Sequence, residues 1–145
     1  MAIDELRIRQ ELEVLNIAFW RDVDSNWGRA AHEFFTEDGT YTTSHKARTG
    51  HEAIKEFYTG RQSRGDRVAR HLISNFHVVV RDENHATAEW TMCLYAEDGV
   101  PPLMSEPPIL IGAVTDECVR GPDGRWRYAS RTTRPLFKGS RPTSG

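Results

Sequence analysis

The sequence predicts an α+β fold with helices first and a long-stranded antiparallel sheet after them. Two observations carry this. Helical periodicity dominates up to Ser63, and four long β-rich runs follow from Arg70. The two kinds of element are segregated instead of alternating, which argues against a parallel α/β sheet. The expected architecture is a cone-shaped, curved antiparallel sheet with three N-terminal helices enclosing a ligand cavity. A chain of 145 residues is expected to form one domain, residues 1–137, followed by a flexible tail at 138–145.

The first helix is expected from Asp4 to Val23, where Leu6, Ile8, Leu12, Leu15, Phe19 and Val23 recur at three- and four-residue spacing. A second, short helix is expected from Trp27 to Phe35, entered through Ser25 or Asn26. Glu37-Asp38-Gly39 reads as a turn and Thr40-Tyr41-Thr42-Thr43 as strand. A third helix opens at Thr49-Gly50-His51-Glu52, carries Ala53, Ile54, Phe57 and Tyr58 as its apolar stripe, and ends near Gly65. Strands are then expected at Arg70–Arg81, His85–Ala96, Ile109–Arg120 and Arg125–Thr133. Asp82-Glu83-Asn84 and Gly121-Pro122-Asp123-Gly124 have the chemistry of tight turns. The proline-rich run from Glu97 to Pro108 is too irregular for a hairpin tip and reads as a flap.

Lys and Arg number 19 against 21 Asp and Glu, and they are interspersed, which argues against a nucleic-acid partner. Arg61, Arg64, Arg67 and Arg70 recur every three residues, and a solvated helix face is favoured there over an anion-binding strip. Cys93 and Cys118 lie in apolar runs and read as buried free thiols. No secretory leader pattern opens the chain, and no apolar run approaches the ~20 residues that span a bilayer, so a cytoplasmic protein without membrane contact is expected.

Asp22 and Asp24 stand two apart near the end of the first helix, about 200° around it, so at most one faces inward. Asp24 shares a side with Trp20 and Trp27, yet local sequence alone favours an N-cap role for it at the start of the next helix. His71 opens the first long strand, where strict alternation groups it with Ile73, Asn75, His77 and Val79. Both faces of that run carry apolar residues, so His71 is open to a cavity-facing or an exposed reading. The spacings His45-x5-His51 and His71-x5-His77 do not suit metal ligands, and no metal site is expected. No phosphate-binding glycine loop or nucleophile elbow is present. Arg131 stands near the end of the last run, sharing by alternation a basic face with Arg125 and Arg127.

The order of motifs adds a resemblance. Val23-Asp24 closes the first helix and is followed by Gly28-Arg29-Ala30-Ala31, Phe34-Phe35-Thr36-Glu37-Asp38-Gly39-Thr40-Tyr41, a Gly50-x-x-Ala53-Ile54 helix, Arg70-His71-x-x-Ser74-Asn75 and Gly124-Arg125-Trp126-Arg127-Tyr128. From Leu6 to Phe137 this resembles the SnoaL-like branch of the nuclear transport factor 2-like superfamily, home of scytalone dehydratase, bile acid 7α-dehydratase and hexachlorocyclohexane dehydrochlorinase. The resemblance implies a cavity dyad of Asp24 and His71, with Arg131, five residues after Trp126, as a third catalytic group. It implies a cofactor-independent lyase of the dehydratase type, acting on an apolar cyclic small molecule. Phe19, Trp20, Tyr41, Tyr58, Ile73 and Trp90 are the expected substrate-binding walls. Where those relatives carry Lys or Tyr before the dyad Asp this chain has Phe19, which makes halide elimination the less natural reaction. The same resemblance allows a ketosteroid isomerase-like proton transfer, a binding-only protein, or the small subunit of a dioxygenase. A homo-oligomer, dimer or trimer, is implied in each case.

Overall fold

The computed structural model describes residues 2–44 and 46–142. Helix α1 (Glu5–Ser25) starts where the Asp4 carboxylate accepts the Arg7 N–H at 3.0 Å. Its buried stripe is Ile8, Leu12, Asn16, Phe19 and Trp20, whereas Leu6 faces solvent. The short helix expected at Trp27–Phe35 does not form. Trp27 and Gly28 both adopt positive φ, 59° and 68°, which ends any right-handed helix. The Asp22 carboxylate instead gathers the turn, accepting from the Asn26 side chain at 2.7 Å and the Ala30 N–H at 3.1 Å. Only a 3-10 turn at Ala31–Phe34 follows. Two α-helices, not three, are therefore present among the described residues, the second being α2 (His51–Gln62).

Six strands make the sheet: β1 (Phe35–Thr43), β2 (Lys46–Thr49), β3 (Arg67–Asp82), β4 (His85–Asp98), β5 (Leu110–Arg120) and β6 (Trp126–Lys138). The expected turn at Glu37-Asp38-Gly39 is an irregularity inside β1, where the pairing register shifts between Phe35 and Thr40. Strand order is β2-β1-β6-β5-β4-β3, unclosed, with α1 packed on β3 and β6. The sheet is mixed, not antiparallel, because β1 and β6 run parallel. The cause is topological. After the β1–β2 hairpin, α2 carries the chain to the far edge, and the β3–β6 meander returns beside β1 in β1's own direction.

Two bulges decide which side chains face inward. In β3 the register shifts between Ser74 and His77, with Asn75 at φ 56°. His71 and Ile73 face the helices before it, and Phe76, Val78 and Val80 take over after it, so Asn75, His77 and Val79 do not share the His71 face. Between β5 and β6 the shift lies at Glu117/Cys118 and turns Arg131 inward with Trp126 and Tyr128, away from Arg127. The uniformly basic face expected on β6 is broken there.

Arg131 and its cross-strand partner Asp116 are 0% and 1% exposed. Arg131 Nε and Nη2 donate to the two Asp116 oxygens at 2.7 and 2.8 Å, Nη2 also donates to Asn16 Oδ1 at 2.6 Å, and Trp90 Nε1 donates to Asp116 at 2.9 Å. The guanidinium carbon lies 4.0 Å from the Tyr128 ring centre and 4.7 Å from that of Phe19. Burial opposes the Arg131 charge most strongly, but the Asp116 carboxylate and its hydrogen bonds, together with Tyr128 and Tyr41, hold the guanidinium above its ordinary pKa.

The residues expected as a tail partly extend the fold. β6 reaches Lys138, the Gly139 N–H donates to Ile109 O at 2.9 Å, and Arg141 pairs with Glu97 at 2.7 Å. Residues 143–145 lie outside the described set. The proline-rich loop is not a flap on the inner cavity. Its Leu103, Met104 and Glu106 border a separate hollow of about 190 Å³ with Val68, Arg70 and Tyr95, whose strand neighbours face the other way.

Removing one partner of a buried ion pair costs about 3–5 kcal/mol, because the other charge is left unpaired. Arg131→Ala is therefore expected to lose that much in urea unfolding, and Arg131→Met with Asp116→Leu to recover most of it. A wild-type midpoint for Arg131→Ala would contradict this account of the core.

Candidate active site

Between the end of α1, helix α2 and the inner face of the sheet lies a cavity of about 210 Å³. It is smaller than drug-sized pockets of about 300 Å³ or more, so it suits a molecule of one or two rings. Trp20, Val23, Phe57, Met92, Leu94 and Leu110 give it apolar walls, and Asp24, Tyr41, Tyr58, His71 and Thr133 give it polar ones.

Asp24 reaches this cavity because it stands one helical turn after Trp20 on the inner side of α1. Asp22, on the other side, holds the turn, and the N-cap role open to Asp24 is not taken up, since the 3-10 turn that follows has no side-chain cap. β3 is an edge strand, so an N–H on its free side needs a partner beyond the sheet. Asp24 supplies one: its Oδ2 accepts the His71 backbone N–H at 2.9 Å, while Oδ1 lies 2.7 Å from His71 Nδ1. Both side chains are largely buried, 8% and 13% exposed. A carboxylate can only accept, so Nδ1 carries the proton and Nε2 is the nitrogen left for chemistry. Trp20 lies flat against the imidazole, ring centres 4.0 Å apart and planes within 17°. The dyad is thus fixed by two bonds and one stacked ring.

The second polar feature is a phenol pair. Tyr58 OH donates to Tyr41 OH at 3.1 Å, from α2 to β1. Burial raises the pKa of both, opposed by the nearby charges of Arg131 and Arg48, so both stay protonated; the Tyr58 hydrogen is given to Tyr41, which leaves the Tyr41 hydrogen for a ligand. Arg48 is held by Thr43 Oγ1 at 2.8 Å and by the Phe57 ring, 3.9 Å from its centre. Gly28 makes room for Tyr58. A Cβ built there, on a backbone at φ 68°, would stand 2.5 Å from the Tyr58 ring.

The cavity thus unites Trp20, Asp24, Tyr41, Tyr58 and His71 of the expected site. Four expected residues do not line it. Phe19, about 100° around α1 from Trp20, is fully buried in an aromatic cluster with Trp20, Phe34 and Tyr128. Ile73 sits two residues further along β3, opposite Met92, and packs into the core. Trp90 is turned to Asp116. Arg131 lies beneath the floor with Nη1 buried and unpartnered among the described residues, its carbon 5.4 Å from the Trp20 ring centre. Arg61, Arg67, Phe57 and Met92 line the cavity without having been expected to. The period-2 series Arg67, Ala69, His71 was the available signal, hidden because the strand was expected to begin at Arg70. Among the described residues no group of three His, Cys, Asp or Glu could hold a metal ion; His45 lies outside them.

A family model for the SnoaL-like domain matches residues 4–132, nearly the whole chain. The chain belongs to the SnoaL-like domain family. Solved structures share its fold. A candidate scytalone dehydratase from Novosphingobium aromaticivorans is 21% identical, with TM-score 0.82, over 95% of this chain and 90% of that one. ActVI-ORFA from Streptomyces coelicolor is 17% identical, with TM-score 0.77, over 89% and 97%. A Catenulispora acidiphila protein in complex with S-DNPA is 22% identical, with TM-score 0.74, over 90% and 95%. A search of curated proteins finds no significant match. No helix of this SnoaL-like domain, among the described residues, is long and apolar enough to cross a membrane.

Tyr41, Tyr58 and Tyr128 all have raised pKa values, with burial as the leading cause. The unfolded chain would ionise its tyrosines near pH 10, before these three ionise in the fold. Stability from them is therefore complete below about pH 10 and is lost as pH rises further. In a phenolate absorbance titration the three are expected to ionise above that value, together with unfolding. Reversible ionisation of all three at the ordinary phenol value, with the fold intact, would contradict their burial.

Proposed function

We propose that this SnoaL-like domain is a cofactor-independent lyase of the dehydratase type, acting on an apolar cyclic small molecule. The Asp24–His71 dyad carries the reading. A carboxylate on one imidazole nitrogen fixes the tautomer and stabilises the imidazolium that forms when the other nitrogen takes a proton. The pair opens onto a cavity whose apolar walls suit rings and whose phenols suit a carbonyl oxygen.

In this scheme the substrate is a cyclic ketone with a hydroxyl on the carbon β to the carbonyl. His71 Nε2 removes a proton from the α-carbon, and the electron pair of that C–H bond moves into the carbonyl as an enolate. The Tyr41–Tyr58 pair donates a hydrogen bond to the enolate oxygen. The enolate then re-forms its carbonyl and expels the β-hydroxyl, which takes the proton back from His71 and leaves as water. Asp24 keeps the imidazole oriented throughout. Arg131 does not touch the substrate in this scheme; its positive charge favours the developing phenol-bound anion from below, in keeping with its effect on both tyrosines. The likeness to a candidate scytalone dehydratase supports the reaction type.

A single base that can return its proton to a neighbouring carbon also suits isomerisation. Two further expectations stay with this reading. Leu72, Val79 and Tyr95, exposed on the outer sheet face, are available for self-association, and two free cysteines accord with a reducing cytoplasm.

The test is a screen of cyclic β-hydroxy ketones read by product mass. Loss of one water supports dehydration, and an unchanged mass with a moved double bond replaces it by isomerisation. Positioned acid–base catalysis contributes about 10²–10⁴-fold, so Asp24→Asn and His71→Ala are each expected to lose at least 10²-fold in turnover while folding normally. Unchanged turnover in either variant would refute the dyad.

A further inference from the structure

Arg61 and Arg67 remain outside the scheme above. Arg61 stands in the last turn of α2 and Arg67 opens β3; both line the same cavity as the dyad. Their side chains are only 10% and 12% exposed. They share one counter-ion: Asp98 Oδ1, 2.7 Å from Arg61 Nη2 and 3.1 Å from Arg67 Nη1. Asp98 comes to them as the cross-strand partner of Arg67, with its own side chain 73% exposed. Two sheltered cations against one solvent-facing carboxylate leave this end of the cavity one negative charge short.

Charges taken out of water are normally paired, and an excess cation in an apolar cavity is costly without an anion. Burial lowers the Arg61 pKa, and the like charge of Arg67 lowers it further, with Asp98 opposing. Each guanidinium presents five N–H donors, so one accepted bond apiece leaves most of the fork free for a second carboxylate. Geometry also sets a distance. Arg67, Ala69 and His71 alternate along one face of β3, so Arg67 and His71 Cα atoms lie roughly 13 Å apart at about 3.3 Å per residue. Both side chains line the cavity, and the backbone span between them is on the scale of a two-ring carboxylate with a hydrogen bond at each end.

We infer that the ligand of this site is an anion, a fused-ring compound whose carboxylate is held by Arg61 and Arg67 while its ring system extends to His71. The inference rests on the ligand cavity of the proposed function and adds the charge of its substrate. Asp98 acts as a stand-in that yields to the incoming carboxylate by moving further into solvent. Arg61 and Arg67 then determine specificity, and take no part in proton transfer.

The experiment is calorimetric titration of the whole protein with 2-naphthoate and with 2-naphthamide, its neutral isostere. The acid is expected to bind at least about tenfold more tightly at low salt, a preference that shrinks as salt rises. Arg61→Gln and Arg67→Gln, checked for an unchanged melting temperature, are expected to erase the preference by weakening naphthoate far more than naphthamide. Asp98→Asn keeps both arginines and is expected to tighten naphthoate binding. Equal affinity for acid and amide in the wild type overturns the inference and leaves the ligand cavity standing. So does a preference that survives both Gln substitutions, or weaker naphthoate binding to Asp98→Asn. Failure of both compounds to bind overturns it together with the cavity reading.

Discussion

Arg131 carries its charge at a point closed to water, and the neighbouring residues answer that charge. Asp116 neutralises it from the adjacent strand, Asn16 accepts from it on α1, and the faces of Phe19 and Tyr128 lie close to its guanidinium carbon. The pair ties β5 and β6 to α1 in one place, and with them the floor on which the cavity stands. A hydrophobic replacement of both partners would serve stability as well. The ionic version adds a positive potential beneath two neutral phenols, which an apolar core would not provide.

Trp20 links that floor to the Asp24–His71 pair. It stacks on His71 at 4.0 Å and has the Arg131 carbon 5.4 Å from its ring centre. The imidazole is therefore held by Asp24 at its edge and by Trp20 on its face, and the indole is in turn backed by the buried ion pair. If His71 acts as the proposed base, fixing it in this way is what the reaction requires, because a misplaced nitrogen loses the advantage of proximity. The opposite end of the cavity is looser in design: two arginines share the oxygen of an exposed carboxylate.

Much of this was legible in the sequence, and the failures have physical causes. The apolar periodicity of α1 and the β-rich runs gave the elements, and the motif order placed Asp24 with His71. The chain alone could not show that Trp27 and Gly28 take positive φ, which removed one expected helix. Strict alternation failed at Asn75 and near Ala129, because a bulge reverses every side chain beyond it. That reversal is why Arg131 is buried while Arg127 is not. The parallel β1–β6 pairing depends on where the meander returns, which no local pattern encodes. Arg67 was missed because the strand starts three residues before its apolar run does.

The central claim is that Asp24 fixes the His71 tautomer, and side-chain nitrogen NMR reads this without any substrate. With the imidazole neutral, His71 is expected to show a protonated Nδ1 and an unprotonated Nε2, and Asp24→Asn to weaken that preference. A proton on Nε2, or a solvent-like mixture of tautomers in the wild type, would contradict the account.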